Sequence, residues 1–280
     1  MNDYSLGLYE KSMPHSMTLS EKLVCAKTSG FDFLDVSIDE TEEKLIRLYW
    51  DACQRRETVN AISDIGIPIG TMCLSGHRKY PLGSMDEMIR HKSLDIMKRA
   101  IDLACSWGIR IIQLAGYDVY YEEGCDHTRA YFMENLAKSV EMAAASGVVL
   151  AFETMETPFM DTVGKAMRYV RDINSPYLQV YPDLGNLSNA AKLYGHCVAD
   201  DIETGKGHIV AMHLKETKPG KYRDVPYGTG TVDFTTGIGA ALRLGVRQFV
   251  GELWDDGDHM AQIEHAGMFL RGFFGDREDG

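Results

Sequence analysis

The sequence predicts a (β/α)8 TIM barrel, an α/β fold occupying residues 1–280 as one domain. Three observations predict it. Eight short apolar runs rich in β-branched residues alternate with longer stretches of helical period. A glycine repeatedly stands just ahead of the next strand, and no Pro/Gly/Ser-rich linker or composition shift divides the chain. Eight such units in about 250 residues favour a closed barrel over an open doubly wound sheet.

The strands are expected at SLGLY (5–9), DFLDVS (32–37), IGTMCLS (69–75), RIIQLA (110–115), VVLAFE (148–153), LQVYPD (178–183), IVAMHL (209–214) and QFVGEL (248–253). Between them, 86–107 and 128–146 carry apolar residues three and four apart and stop before Gly108 and Gly147, as amphipathic helices with glycine stops do. The joints KTSGFDFLD, DIGIPIGTM and RLGVRQFVG repeat one form. The first βα turn, LYEKSMP, lacks a G-x-G-x-x-G run, which argues against a dinucleotide site. The tail GDREDG, 275–280, is expected to fray.

Lys and Arg total 29 against 41 Asp and Glu, a net charge of −12. So acidic a chain makes no general clamp for nucleic acid, although a local basic patch can still hold one phosphate. No apolar run is long enough to span a bilayer. The opening MNDYSLGLYEKSMPHSM has acids and polar residues where a signal peptide needs a basic start and an apolar run, so the expected location is cytoplasmic. The cysteines at 25, 53, 73, 105, 125 and 197 form no C-x-x-C pair and no finger spacing, and are expected to be buried free thiols.

A barrel places reacting groups at the C-terminal ends of its strands. Strands five to eight end in Glu153, Asp183, His213 and Glu252. Three carboxylates projecting into one mouth repel one another unless a cation lies between them. Three oxygen donors and one nitrogen suit Mn2+ or Zn2+, with Co2+ and Mg2+ also compatible. One divalent metal ion is therefore the expected cofactor.

Seven stretches carry a family resemblance: GLYEKSMP (7–14), FDFLDVSIDET (31–41), MCLSGHRKYPLGS (72–84), IQLAGYDVYY (112–121), YPDLGNLS (181–188), GHIVAMHLKETKPG (207–220) and VPYGTGTVDF (225–234). In them the chain resembles the L-ribulose-5-phosphate (L-xylulose-5-phosphate) 3-epimerases, a family of xylose-isomerase-like barrels. The resemblance implies an isomerase of L-ascorbate degradation and related carbohydrate metabolism, with metal ligands Glu153, Asp183, His213 and Glu252. It also implies that Glu153 and Glu252 are the catalytic acid and base, and that the chain pairs as a homodimer. Epimerisation at C3 of a 2-ketose needs two proton carriers on opposite faces of one carbon, which explains two glutamates. A sugar-phosphate or hydroxypyruvate aldose–ketose isomerase on the same ligand set is the nearest alternative. A multi-zinc DNA-repair endonuclease would need more strand-end histidines and a basic groove, and a purely sugar-binding barrel would tolerate losing a glutamate.

A phosphorylated substrate needs cations or free backbone N–H groups at the mouth. The candidates are Lys11, Arg78, Lys79, Lys215, Lys218 and the turn Gly228-Thr229-Gly230, with His77 placed to meet substrate oxygens. Tyr117, Tyr120, Tyr121 and Trp254 are candidates for the pocket wall. His208 precedes strand seven and is assigned a structural role. The segments 189–206 and 254–262 match the family poorly, and both are expected to flank the mouth.

Overall fold

The computed structural model describes residues 4–255 and 257–274, so the tail at 275–280 lies outside the described residues. Eight parallel strands form one sheet: β1 Ser5–Tyr9, β2 Phe33–Ile38, β3 Ile69–Leu74, β4 Ile111–Ala115, β5 Val149–Glu153, β6 Leu178–Val180, β7 Met212–Leu214 and β8 Gln248–Gly251. The hydrogen-bonded order is β6-β5-β4-β3-β2-β1-β8-β7. Two isolated parallel bridges, Val180 with Ile209 and Asp183 with His213, close the seam between β6 and β7. Both strands are shorter than the sequence predicts. Pro182 has no N–H to give a ladder, and its carbonyl instead accepts from His213 N at 2.9 Å. The seam therefore closes at two residues of the carboxylate–histidine group itself.

Helices cover the outside. The two long ones span Glu87–Trp107 and Asp126–Ser146 and end at Gly108 and Gly147, with φ of +78° and +66°. The second begins two residues earlier than its periodicity predicts, because the Thr128 hydroxyl accepts from Cys125 N at 2.8 Å and caps the first turn. Leu6, Leu8, Leu34, Val36, Met72 and Leu150 pack against this helical layer, while Tyr9, Phe33, Cys73, Ala151, Tyr181, Ala211 and Val250 form the smaller cluster inside the barrel. The Phe33 ring fits because its neighbours are glycines: a Cβ on Gly7 or Gly70 would stand 2.3 or 2.4 Å from it. Gly70 also marks a bulge, since Leu34 pairs with Ile69 but Asp35 pairs with Thr71.

Burial of all the thiols does not hold. Cys25 and Cys73 are buried, but Cys53, Cys105, Cys125 and Cys197 are exposed, and all six are free. The exposed four lie on outer helices or at helix starts, away from the apolar faces. Among the described residues no helix is long and apolar enough to cross a membrane.

The loops after β1 and β2 are locked by a buried charge cluster. Glu10, fully buried, takes two hydrogen bonds from Arg47 at 2.8 and 2.7 Å, one from Lys22 at 3.2 Å, one from Lys44 and one from Ser37 N at 2.8 Å. These cations hold the carboxyl well below its ordinary range against burial, which alone would raise it.

Candidate active site

Each expected ligand reaches the mouth from a strand end. Glu153 is the last residue of β5, His213 lies in β7, Glu252 directly follows β8, and Asp183 follows β6 as the N-cap of helix Leu184–Tyr194. Their donor atoms all lie within 4.8 Å of one another, and all four residues are buried. His213 Nδ1 is 3.1 Å from Glu252 Oε2 and 3.7 Å from Glu153 Oε1. Asp183 Oδ1 accepts from Asn186 N at 2.6 Å, while its Oδ2 is buried without a protein partner.

Two neighbours join the group: Asp35, which was not singled out in the sequence, and Lys215, which was expected as a phosphate cation. Asp35 of β2 lies under the imidazole, with Oδ2 3.3 Å from His213 Nε2. Lys215 points its ammonium between Asp183 Oδ1 and Glu252 Oε2, 3.4 Å from each. Burial drives the Asp183 carboxyl well above its usual range; Lys215 opposes this, and the charges of Glu252 and Glu153 add to it. Glu252 is held well below its range despite burial, by Lys215 and His213. His213 is raised against the effect of burial by Tyr181, Glu252, Asp35 and Glu153.

A divalent cation fits this group. Four buried carboxylates, Asp35 included, gather around one lysine ammonium and one imidazole where water cannot screen them, and a divalent cation would let them ionise together. The orphaned Asp183 Oδ2 has a lone pair with nothing to bind, and the hard oxygen donors with one imidazole suit Mn2+ or Zn2+.

The cavity above the group is lined by Tyr9, Lys11, Cys73, Ser75, Arg78, Ala115, Glu153, Met155, Glu156, Asn186, Lys215, Tyr222, Arg223, Glu252 and Trp254. Of the proposed phosphate cations, Lys11, Arg78 and Lys215 line it. Lys11 also meets Asp39 at 2.6 Å, and the Arg78 guanidinium lies 4.6 Å over the Tyr120 ring. Tyr117 and Tyr120 pack against each other behind Arg78 with their rings tilted by 55°, whereas Tyr121 is exposed and bonded to Glu40. Trp254 is part of the wall and packs edge-on to Tyr9 at 6.2 Å. Arg223, in a loop between two matching stretches, was not singled out in the sequence. It lies 5.3 Å over Trp254, beside Asp224, whose φ is +55°.

Several expectations need correcting. Lys215 lines the cavity from a buried position at its floor and not from the rim, with its ammonium 3.4 Å from the Asp183 and Glu252 carboxylates. His77 is buried away from the cavity with Nε2 3.1 Å from Ser93 O, and burial lowers its pKa to about 4. Lys79 and Lys218 are exposed and add nothing to the cavity wall; the Lys218 backbone pairs with Lys221. The Gly228-Thr229-Gly230 turn is an anion cradle already filled from within. Glu216 accepts from Gly228 N, Val232 N and Thr217 N at 3.1 Å each, and a Cβ on Gly230 would stand 2.2 Å from its Oε1. Segment 189–206 contributes no residue to the cavity wall. Its Asp201 instead caps helix Val163–Ile173 through Val163 N and Gly164 N. His208 meets Gln179 Oε1 at 3.0 Å, in keeping with a structural role.

Residues 24–272 match the model of the xylose isomerase-like TIM barrel. The chain belongs to that family. L-ribulose-5-phosphate 3-epimerase UlaE of Shigella boydii serotype 18 is 49% identical over 82% of this chain and 79% of its own. That of Escherichia coli strain K12 is 48% identical over the same shares. Among solved structures, D-psicose 3-epimerase of Clostridium cellulolyticum H10 superposes with a TM-score of 0.80 at 15% identity, covering 97% of this chain and 100% of that one. An L-ribulose 3-epimerase superposes with a TM-score of 0.77 at 18% identity, over 96% and 95%. These two likenesses concern the fold. Within the family the chain is an isomerase-class carbohydrate epimerase.

Proposed function

We propose that the protein is a metal-dependent 3-epimerase interconverting L-ribulose 5-phosphate and L-xylulose 5-phosphate, working as a one-domain cytoplasmic enzyme and pairing as a homodimer. The observation that carries this is the buried Glu153–Asp183–His213–Glu252 group, in a chain 49% identical to L-ribulose-5-phosphate 3-epimerases.

Glu153, Asp183, His213 and Glu252 would hold one divalent cation, Mn2+ or Zn2+ by donor type, which supplies Lewis-acid polarisation of the ketose C2 carbonyl. Glu153 and Glu252 stand on β5 and β8, three strands apart around the rim. One carboxylate removes the C3 proton, leaving an enediolate; the other returns a proton to the opposite face, and the reverse reaction exchanges their roles. Trp254 and Tyr9 wall the cavity and keep bulk water from the reacting carbon. Lys11, Arg78 and Arg223 are the cations left to receive the phosphate, with Arg78 suited by its planar guanidinium.

The test is NMR of either ketose phosphate with the protein in D2O. Interconversion with deuterium entering C3, abolished by chelation and restored by Mn2+, is the expected result. Label at C1 would transfer the site to an aldose–ketose isomerase, and full activity in metal-free protein would remove the cation from the mechanism.

A further inference from the structure

The metal-ligand group has a support that none of the four ligands supplies. His213 presents Nδ1 to Glu252 and Glu153, and its opposite nitrogen, Nε2, lies 3.3 Å from Asp35 Oδ2. The other Asp35 oxygen accepts from the Thr71 hydroxyl at 2.6 Å. Asp35, Thr71 and His213 are all fully buried, so water cannot replace either contact. The Gly70 bulge makes the arrangement possible, because the pairing skips that residue and sets Thr71 directly opposite Asp35. Tyr181 stands edge-on to the imidazole at 5.0 Å and limits its rotation.

We propose that Asp35, braced by Thr71, is a positioning residue that keeps the His213 proton on Nε2 and so leaves the Nδ1 lone pair free for the cation. The Thr71 hydroxyl donates to Asp35 Oδ1, so Oδ2 is left to accept from Nε2–H, whereas Glu252 and Glu153 on the Nδ1 side belong to the group that would hold the cation and be neutralised by it. The second nitrogen is then available as a ligand, and the ring is aimed by contacts on both edges. Carboxylates behind metal-bound imidazoles raise ligand basicity and hold ring orientation in the same way. The inference rests on the cation site of the proposed function, but not on the identity of the sugar.

The test uses the full chain, stripped of metal and titrated with Mn2+, with free Mn2+ read by its electron paramagnetic resonance. Asp35→Ala is expected to weaken Mn2+ binding about 10–100-fold, and Thr71→Val by a smaller factor. Nitrogen-15 NMR of the zinc-loaded wild-type protein is expected to place the His213 proton on Nε2. If Asp35→Ala does not fold, Thr71→Val and the wild-type spectrum still decide. Unchanged Mn2+ affinity in the folded variants, or a His213 proton on Nδ1 in the zinc-loaded protein, overturns the proposal. A wild-type protein that binds Mn2+ and shows the Nε2 proton but interconverts neither ketose would instead count against the proposed reaction and leave Asp35's role standing.

Discussion

Replacing Glu10 by Gln changes little volume but leaves three buried cations, Lys22, Lys44 and Arg47, without their shared counter-charge. Glu10 is fully buried, and the three cations are 8% exposed or less in their side chains. Stripping one partner from a buried ion pair costs about 3–5 kcal/mol, because an uncompensated charge stays in a poorly solvated place. In this cluster the neutral amide would face Arg47, which makes two bonds to Glu10, as well as both lysines. A loss of that size lowers Tm by about 5–9 °C for a chain of 280 residues, at about 2.1 cal/mol/K of unfolding entropy per residue. Thermal unfolding followed by circular dichroism at pH 7 measures it. Lys138→Ala is the control: its partner Glu134 is 61% exposed, and such a surface pair contributes about 1 kcal/mol or less. The Glu10 carboxyl is held below its unfolded value, so its stabilisation is full above about pH 4.3 and is lost as the pH falls through the lower folded value. The wild-type advantage over Glu10→Gln should therefore shrink in acid. A variant that melts within a degree or two of wild type at pH 7 would refute the reasoning.

Three further outcomes are expected. Glu153→Gln and Glu252→Gln, assayed at saturating Mn2+, should each lower interconversion by at least about 10²-fold while unfolding cooperatively, the scale for losing a positioned acid or base; near-normal turnover in either would move proton transfer elsewhere. Arg78→Met should cost about 10–150-fold in kcat/KM on the ketose 5-phosphate, the equivalent of one charge-assisted contact of about 1.5–3 kcal/mol, and leave the slow reaction of the free ketose nearly unchanged. Equal losses on both substrates would take Arg78 off the phosphate. His77, with its pKa lowered to about 4 by burial, is neutral in the folded chain, whereas the unfolded chain takes up a proton near pH 6.5. Its contribution is complete above pH 6.5 and falls by about 3 kcal/mol as the pH drops to 4, so the stability gap between wild type and His77→Gln should narrow over that window in denaturant melts; a constant gap would contradict a buried neutral ring.

How much of this was legible follows from the range of each interaction. Strand alternation and glycine joints are local signals, and the barrel rule then says which end of each strand carries chemistry, so Glu153, Asp183, His213 and Glu252 could be picked from strand ends alone. Asp35 could not, although a carboxylate inside the apolar strand FLDVSI was a signal, because its partner His213 is 178 positions away and its register depends on the bulge at Gly70. Lys215 was read as a rim cation since sequence shows that it follows β7 but not that Asp183 and Glu252 stand 3.4 Å from its ammonium. The glycine turn is the sharpest case. The Gly228 N–H does bind an anion, together with Thr217 N and Val232 N outside the turn, so the local physics was right in part. The anion is the chain's own Glu216, twelve residues before Gly228, and that occupancy pins the loop that carries Tyr222 and Arg223 over the mouth. A motif that binds phosphate in one fold thus serves here, through a carboxylate of the chain itself, to hold a loop over the cavity.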